Sequence, residues 1–410
     1  MMFFGPDPAS LQLHHPFPSS EPQDPPLMPI QRSGKEILSD PPLKPLQSSI
    51  KPKSKQVREA EQEPEPLIPG LPDDIAVSCL LRLPFPHQLN VRSVSSSWNR
   101  SISSPSFLKL KKKQSPASPY LFVFAFQIST AKLHWQAFDP RSRLWFLLPP
   151  MPCTKPVCPP GFACTSIPQQ GTFFVCGGLR SDTESPMDSI FVYRASTNSW
   201  SETTPMLTPR SFFAAGEIEG KIYVSGGTGA NDALASVESY DPVTGQWARV
   251  ADMRVGMTRY DAAVFARRMY ITEGWEWPFD VPPRGAVYNP ESDSWEEMRR
   301  GMREGWTGLS VVVEGNLFVI SEHKNSRVKV YVPERDVWEY AGGGCVPGEV
   351  RRPFTVSAIG DRMYVVSSGL HVAVGTVARG PGGVSVEWEV VAAPPGFAEL
   401  IPSCSQVLYA

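Results

Sequence analysis

Residues able to perform catalytic or metal chemistry are few and scattered in this chain. Among 410 residues there are six histidines and seven cysteines. His134, His323 and His371 are far apart and have no paired ligand spacing, which disfavours a zinc or copper centre. Three cysteines are expected in a Pro-rich loop without a neighbouring histidine, namely Cys153, Cys158 and Cys164. P-loop, Gly-x-Ser-x-Gly and His-Glu-x-x-His motifs are absent, so we expect no catalytic residue, no metal site and no cofactor.

Arginine and tryptophan residues could instead bind a protein segment. Arginines recur at similar points of the connections between repeated units, and guanidinium groups suit carboxylates and carbonyl oxygens. An exposed tryptophan is a common anchor of protein interfaces. The candidate binding residues are Arg210, Arg259, Trp275, Trp277, Arg303, Trp306, Arg351 and Arg352. The same arginines could equally bond to neighbouring loops, and the tryptophans could fill the interior of a long loop.

A short helical region precedes the repeats. Pro72 and two aspartates follow Leu71, and proline and acidic residues are typical of a first helical turn. Apolar residues continue at helical spacing until Pro84 and Pro86, and a second stripe of the same spacing runs from Val91 to Ile102. So few short helices form too small a core to stand alone. We expect a partner to cover the apolar residues Leu71, Pro72, Ile75, Leu80, Leu83, Val91, Val94 and Trp98.

A repeat of about 49 residues dominates the remainder. Tryptophans recur at 145, 200, 247, 295, 338 and 388, and five of them have Phe or Tyr seven residues earlier, with a turn between. Two further strand-like runs precede each pair, so four strands per repeat predict propeller blades. The first repeat lacks one strand, which the C-terminal strand 404–410 would supply. The predicted blades are 120–152 with 404–410, 162–204, 210–252, 258–300, 306–341 and 354–393.

These motifs resemble two families. The Leu71-Pro72-Asp73-Asp74-Ile75 start and the spaced residues up to Trp98 resemble an F-box, apart from the insert Pro84-Phe85-Pro86. The glycine pairs 177–178 and 226–227, with the repeated Tyr and Trp, resemble kelch repeats. The resemblance implies a substrate receptor of an SCF ubiquitin ligase, with a Skp-type adaptor, a cullin and an unknown client protein as partners. Stretches such as 272–279 and 304–308 resemble plant F-box/kelch proteins and imply a role in phytochrome A, far-red light signalling.

The fold expected is therefore mainly β. A six-bladed kelch β-propeller, 120–410, would follow a disordered Pro-rich arm at 1–66, a small α-helical F-box at 67–112 and a linker at 113–119. Fourteen prolines fall within residues 1–66, and such a segment buries too little apolar surface to fold.

Charge and composition limit the partners and the compartment. The net charge of −2 and pI of about 6.3 do not suggest a nucleic-acid partner. No apolar run is long enough to cross a membrane. The cysteines are odd in number and include no CxxC pair, and a chain of this size does not need disulfides, which favours the reducing nucleus or cytoplasm. A kelch scaffold without a ligase role is the alternative function.

Overall fold

The computed structural model describes residues 66–114, 117–258, 261–274, 282–322 and 326–410. The predicted disordered arm lies outside these residues, apart from Pro66. Residues 66–410 form one compact unit. None of the helices within the described ranges is long and apolar enough to span a membrane.

Two of the helices begin at residues that are typical of a helix start. Two aspartates occupy the first turn of the first helix, and the side chain of Ser95 accepts a hydrogen bond from the Trp98 amide, 3.1 Å away, at the start of the third. This cap divides the predicted second stripe into two helices, which corrects the single helix expected there. The helices are α1 Asp73–Leu81, α2 Phe85–Val91, α3 Ser96–Ser103, α4 Pro105–Gln114 and α5 Arg300–Gly305.

The rest of the described chain is mainly β. Its strands are β1 Pro119–Gln127, β2 Leu133–Asp139, β3 Leu144–Leu147, β4 Val157–Ile167, β5 Thr172–Arg180, β6 Ile190–Arg194, β7 Ser199–Thr203, β8 Ala214–Ile218, β9 Lys221–Ser225, β10 Val237–Asp241, β11 Gln246–Val250, β12 Asp261–Phe265, β13 Arg268–Thr272, β14 Gly285–Asn289, β15 Ser294–Glu297, β16 Gly308–Val313, β17 Asn316–Ser321, β18 Arg327–Val332, β19 Val337–Cys345, β20 Phe354–Ile359, β21 Arg362–Ser367, β22 Val372–Gly380, β23 Gly383–Val391 and β24 Leu400–Tyr409.

The strands form groups of four, in which hydrogen-bonded neighbours run antiparallel. The groups are β24-β1-β2-β3, β4 to β7, β8 to β11, β12 to β15, β16 to β19 and β20 to β23. The last two groups are joined by a parallel pairing of Gly342 with Ser385. Such sheets are consistent with kelch blades, and in all but the first group the four strands are consecutive in the chain.

The C-terminal strand is the first strand of the first sheet. β24 pairs with β1 from Tyr409 opposite Pro119 to Leu400 opposite Gln127. The first strand of each group also contacts that of the next group, in the order β24, β4, β8, β12, β16, β20 and again β24. These contacts place the first strands of successive sheets next to one another.

The repeated aromatic pairs face each other across the last two strands of a sheet. Tyr193 lies opposite Trp200 and Tyr240 opposite Trp247, with ring centroids 5.3 and 5.0 Å apart. The Trp200 indole donates to the Pro149 carbonyl at 2.9 Å, and Trp247 donates to Thr204 at 2.9 Å. Trp200 and Trp247 therefore bond to the chain leaving the preceding sheet, which supports the interpretation of these two residues as packing residues.

The glycine pairs allow two chain segments to approach closely. Gly177 and Gly226 have φ of 62°, a conformation that costs glycine little. A Cβ on Gly177 would lie 2.4 Å from the Arg210 carbonyl oxygen, and one on Gly226 would lie 2.4 Å from that of Met257. The pairs thus admit the connection that leads into the next sheet.

Candidate functional site

The helical region has a small core of its own. It consists of side chains at most 2% exposed, namely Leu80, Leu81, Ile102 and Phe107. The expectation that Leu80 contacts a partner is wrong for this reason, because the helices of the same chain already cover it. The Lys111 ammonium donates to the carbonyls of Leu81 at 2.9 Å and Leu83 at 2.7 Å, and burial lowers the pKa of Lys111. A cation here stabilises the C-terminal end of α1.

Other apolar residues of this region face outward. Leu71, Ile75 and Val94 are 38%, 46% and 62% exposed, and Pro72 is exposed as well. Leu110 on α4 is also exposed, and it was not predicted because it lies beyond Ile102, the last residue of the predicted helical stripe. We call Leu71, Pro72, Ile75, Val94 and Leu110 the exposed F-box residues.

Three predicted partner-binding residues are intermediate in solvent exposure. Leu83, Val91 and Trp98 are partly buried and pack against the helical core. The Trp98 indole also donates to the Leu67 carbonyl, 2.6 Å away. These residues support the helices and still present part of their surface.

The insert Pro84-Phe85-Pro86, which forms the start of α2, joins the helices to the sheets. Phe85 is 4% exposed and packs with Tyr120 and Phe122, at centroid distances of 5.3 and 5.9 Å. Arg92 adds a hydrogen bond to the Ser196 carbonyl at 3.1 Å. Sequence analysis treats the F-box as a domain of its own, whereas the structure packs Phe85 against the first sheet.

The helices and the candidate binding loops belong to opposite ends of the sheets. Antiparallel strands alternate in direction. The turn between the first and second strands of a sheet therefore lies at the same end as the turn between its third and fourth strands. We call this end, which includes 195–198, the turn face; Arg92 contacts it through Ser196. The other end, the loop face, carries the longer connections, such as 226–236 and 251–258.

Arg210 lies inside the structure and not on the loop face. Its side chain is fully buried, and so is that of Glu238, to which it donates at 2.6 Å. It also donates to the carbonyls of Gly226 at 2.8 Å and Ser236 at 3.0 Å. Desolvation by burial lowers the pKa of Arg210, while Glu238 acts in the opposite direction. The prediction that Arg210 binds a partner is therefore corrected, because its terminal nitrogens hold two loops of its own chain together.

Trp306 is likewise an interior residue. It is 0% exposed, and its indole donates to the Asp261 carboxylate at 2.9 Å. The same carboxylate oxygen accepts from the Ser310 amide at 2.7 Å. Trp306 thus joins two neighbouring sheets, and the expectation that it anchors a bound protein is wrong.

Three of the predicted arginines retain exposed surface near the loop face. Arg303 forms an ion pair with Glu297, and Arg351 is exposed. Arg352 donates to the Ser321 carbonyl at 3.1 Å; its guanidinium carbon lies 4.7 Å from the centroid of the Phe354 ring. The remaining candidates, Arg259, Trp275 and Trp277, lie outside the described residues.

A cavity of about 220 Å³ opens beside Arg303. Its lining includes the apolar side chains of Met253, Val255 and Met257 and the guanidinium-bearing side chains of Arg254 and Arg284. Arg284 is held by Glu273 in two contacts of 2.6 and 2.8 Å. The cavity combines an apolar wall with cations, and Arg303 is the one of its lining residues that sequence analysis names as a candidate binding residue.

The described residues include no group of three or more His, Cys, Asp or Glu side chains placed to hold a metal ion. Cys158 and Cys164 lie on β4 and not in a loop. Burial raises the pKa of Cys158.

Comparisons with known proteins agree with a chain made of a helical part followed by a part built of sheets. The F-box domain model matches residues 68–110, and the kelch motif model matches residues 161–207 and 209–254. F-box protein AFR of Arabidopsis thaliana is 47% identical over 357 residues, covering 86% of this chain and 95% of the relative. Two F-box/kelch-repeat proteins of the same plant are 43% identical over 84% of this chain and 31% identical over 69%, covering 87% and 72% of those relatives.

An F-box followed by kelch repeats defines a class of non-catalytic substrate adaptors. The chain belongs to the F-box/kelch-repeat protein family. This architecture implies binding of a Skp-type adaptor within an SCF complex.

Proposed function

We propose that this chain is the substrate-recognition subunit of an SCF-type E3 ubiquitin ligase. Its F-box binds a Skp-type adaptor that is held by a cullin, and its kelch region captures a client protein. Ubiquitin transfer is performed by the associated enzymes, and the receptor acts by raising the local concentration of the client.

The observation that carries the proposal is the set of exposed F-box residues. Ile75 and Val94 expose large apolar surfaces, although the helices have a complete small core beneath them. Burying such side chains against a partner contributes about 25 cal/mol per Å² of apolar area. We assign these residues to the adaptor interface.

The six strand groups close into a six-bladed propeller in this proposal. Contacts between β20 and β24 and between β24 and β4 support closure, as does the pairing of β24 with β1. A closed ring leaves no open end in the series of sheets and holds the loop face as a fixed surface for the client.

The client site is proposed on the loop face. Arg303, Arg351 and Arg352 are the candidates within the described residues, and Arg259, Trp275 and Trp277 are the candidates outside them. The cavity beside Arg303 supports this placement, because pockets with an apolar wall and a few charged groups are typical binding sites. Arg210 and Trp306 are buried, and they stabilise the loops and sheets that carry this face.

The test of the adaptor interface is a co-purification of the full chain with a plant Skp-type adaptor. Leu71→Ala with Pro72→Ala, and separately Ile75→Asp, should abolish binding. Val243→Ala is the matched control, because Val243 is an exposed apolar residue of a sheet turn, 91% exposed. Wild-type binding by both F-box variants would contradict the assignment and favour a kelch scaffold without a ligase role.

A role in phytochrome A signalling in the nucleus or the cytoplasm is a finer proposal. It is supported by the similarity to F-box protein AFR. Loss of the protein should then stabilise a client in far-red light, measured by comparing protein half-lives with and without the protein.

A further inference from the structure

The kelch region carries its positive charge almost entirely on arginine. Residues 118–410 include 20 arginines and five lysines, although lysine is among the commonest residues of globular proteins. Residues 1–117 show the reverse, with nine lysines and five arginines. A general preference of the chain for arginine therefore does not explain the difference. The five lysines are Lys132, Lys155, Lys221, Lys324 and Lys329.

Even fewer of these lysines are accessible. Lys329 is 7% exposed, and its ammonium donates to the Gly305 carbonyl at 2.7 Å and the Thr307 hydroxyl at 2.9 Å. Lys324 lies outside the described residues. Lys132, Lys155 and Lys221 are exposed.

Packing explains the choice of arginine at some sites. Arg210 uses both terminal nitrogens in the interior. Arg284 binds Glu273, and Arg180 binds Asp182, each through two nitrogens. Lysine has one nitrogen and would not replace such contacts.

Other arginines use no property that lysine lacks. Arg143, Arg267 and Arg335 contact glutamates through one nitrogen atom each, and their side chains are 57%, 62% and 62% exposed. Arg249 and Arg379 are exposed. A lysine ammonium would supply the same positive charge at these five positions. Folding therefore does not explain why arginine occupies them instead of lysine.

We propose that the kelch region is depleted of ubiquitin acceptors, so that the assembled ligase modifies its client and not the propeller of its own receptor. This inference rests on the proposed function. In the transfer, a neutral lysine amine attacks the carbonyl carbon of the ubiquitin thioester. The new C–N bond forms as the C–S bond breaks, and the leaving thiolate accounts for the proton that the amine loses. A guanidinium stays protonated at cellular pH and does not act as this nucleophile.

The test uses the full chain in a complex reconstituted with Skp-type adaptor, cullin, RING subunit, ubiquitin and its activating and conjugating enzymes. Mass spectrometry maps the ubiquitin-bearing lysines of the receptor. For the wild type, we expect modification mainly within residues 1–113. In the fivefold variant Arg143→Lys, Arg249→Lys, Arg267→Lys, Arg335→Lys and Arg379→Lys, exposed acceptors rise from three described lysines to eight, so ubiquitin on 118–410 should rise roughly two- to threefold.

Two controls separate acceptor chemistry from structure. The same five positions changed to glutamine remove the charge without adding amines, and this variant should show no gain. The lysine variant with Leu71→Ala and Pro72→Ala should lose the gain, because the ligase is no longer engaged.

Unmodified new lysines in a folded, adaptor-bound variant would overturn the inference and leave the proposed function intact. The inference would also be overturned if Lys132, Lys155 and Lys221 of the wild type carried as much ubiquitin as all exposed lysines of the fivefold variant. A wild-type chain that does not bind the adaptor overturns the proposed function, and the inference with it.

Discussion

The ring of Phe85 lies against that of Tyr120, with 5.3 Å between the centroids. Phe85 belongs to α2 and Tyr120 to the first strand of the chain, so this contact joins the F-box to the first sheet. Both residues belong to one apolar cluster that also includes residues of the second sheet, such as Tyr193.

Phe85→Ala should therefore destabilise the F-box relative to the sheets. Phe→Ala in a core costs about 3–5 kcal/mol, and hydrogen exchange should accelerate in α1 to α4 more than in β4 to β24. Urea unfolding and hydrogen exchange measure the two effects. Val94→Ala, at a site 62% exposed, is the control, and an equal effect of both variants would refute the contact.

The buried ion pair of Arg210 and Glu238 predicts a second result. Arg210→Met leaves a carboxylate without its cation in the interior, a change that costs about 3–5 kcal/mol. Adding Glu238→Leu should recover much of this loss in the free energy of unfolding. Arg351→Ala, at an exposed site, should change it by less than about 0.5 kcal/mol. Loss of client binding by Arg210→Met without loss of stability would restore Arg210 to the recognition site.

The C-terminal strand predicts a strong dependence of folding on the last residues. Deleting 404–410 removes most of the pairing with β1 and the fully buried side chain of Leu408, and it exposes two strand edges. The melting temperature should fall far more than after deletion of 1–60. Similar small effects of the two deletions would contradict closure of the first sheet by β24.

Cysteine reactivity offers a map of the adaptor interface. Cys79 on α1 is exposed and Cys176 is buried, and burial raises the pKa of Cys176 to about 12. Since the thiolate is the reactive form, iodoacetamide at pH 8 should modify Cys79 and spare Cys176 in the native chain. Adaptor binding should slow the modification of Cys79. Peptide mass spectrometry reads both sites, and an unchanged Cys79 rate in a stable complex would place α1 outside the interface.

The lowered pKa of Asp336 predicts how the free energy of unfolding varies with pH. Burial alone would raise its pKa, but hydrogen bonds from the Tyr331 hydroxyl and the amides of Gly301 and Met302 outweigh burial, and the pKa is lowered. The stabilisation is therefore complete above the unfolded-state pKa of about 3.9 and is lost as pH falls through the lower folded-state pKa.

Asp336→Asn is the matched variant, because asparagine tolerates the positive φ of 53° at this position. The difference in unfolding free energy between wild type and variant should be constant from pH 7 to about 5 and shrink in acid. Urea midpoints across this range provide the measurement. A difference that grows on acidification would contradict a lowered pKa of Asp336 in the folded chain.

Local patterns were readable in the sequence because their partners are close along the chain. A spacing of seven residues across a tight turn places Tyr193 opposite Trp200, and the Asp73-Asp74 pair marks the start of α1. The family resemblance followed from such motifs. The strand missing from the first repeat pointed to the C-terminus, and β24 does pair with β1.

Only the tertiary structure decided which conspicuous residues are buried and which are exposed. Arg210 and Arg351 occupy similar places in the repeat, yet Glu238 lies within 2.6 Å of Arg210 and both side chains are buried, whereas Arg351 is exposed. Phe85 packs on a strand more than 30 residues away, and Leu80 is covered by α4 residues such as Phe107. Burial and pairing depend on which distant segments meet in space, and residue spacing within one segment does not determine that.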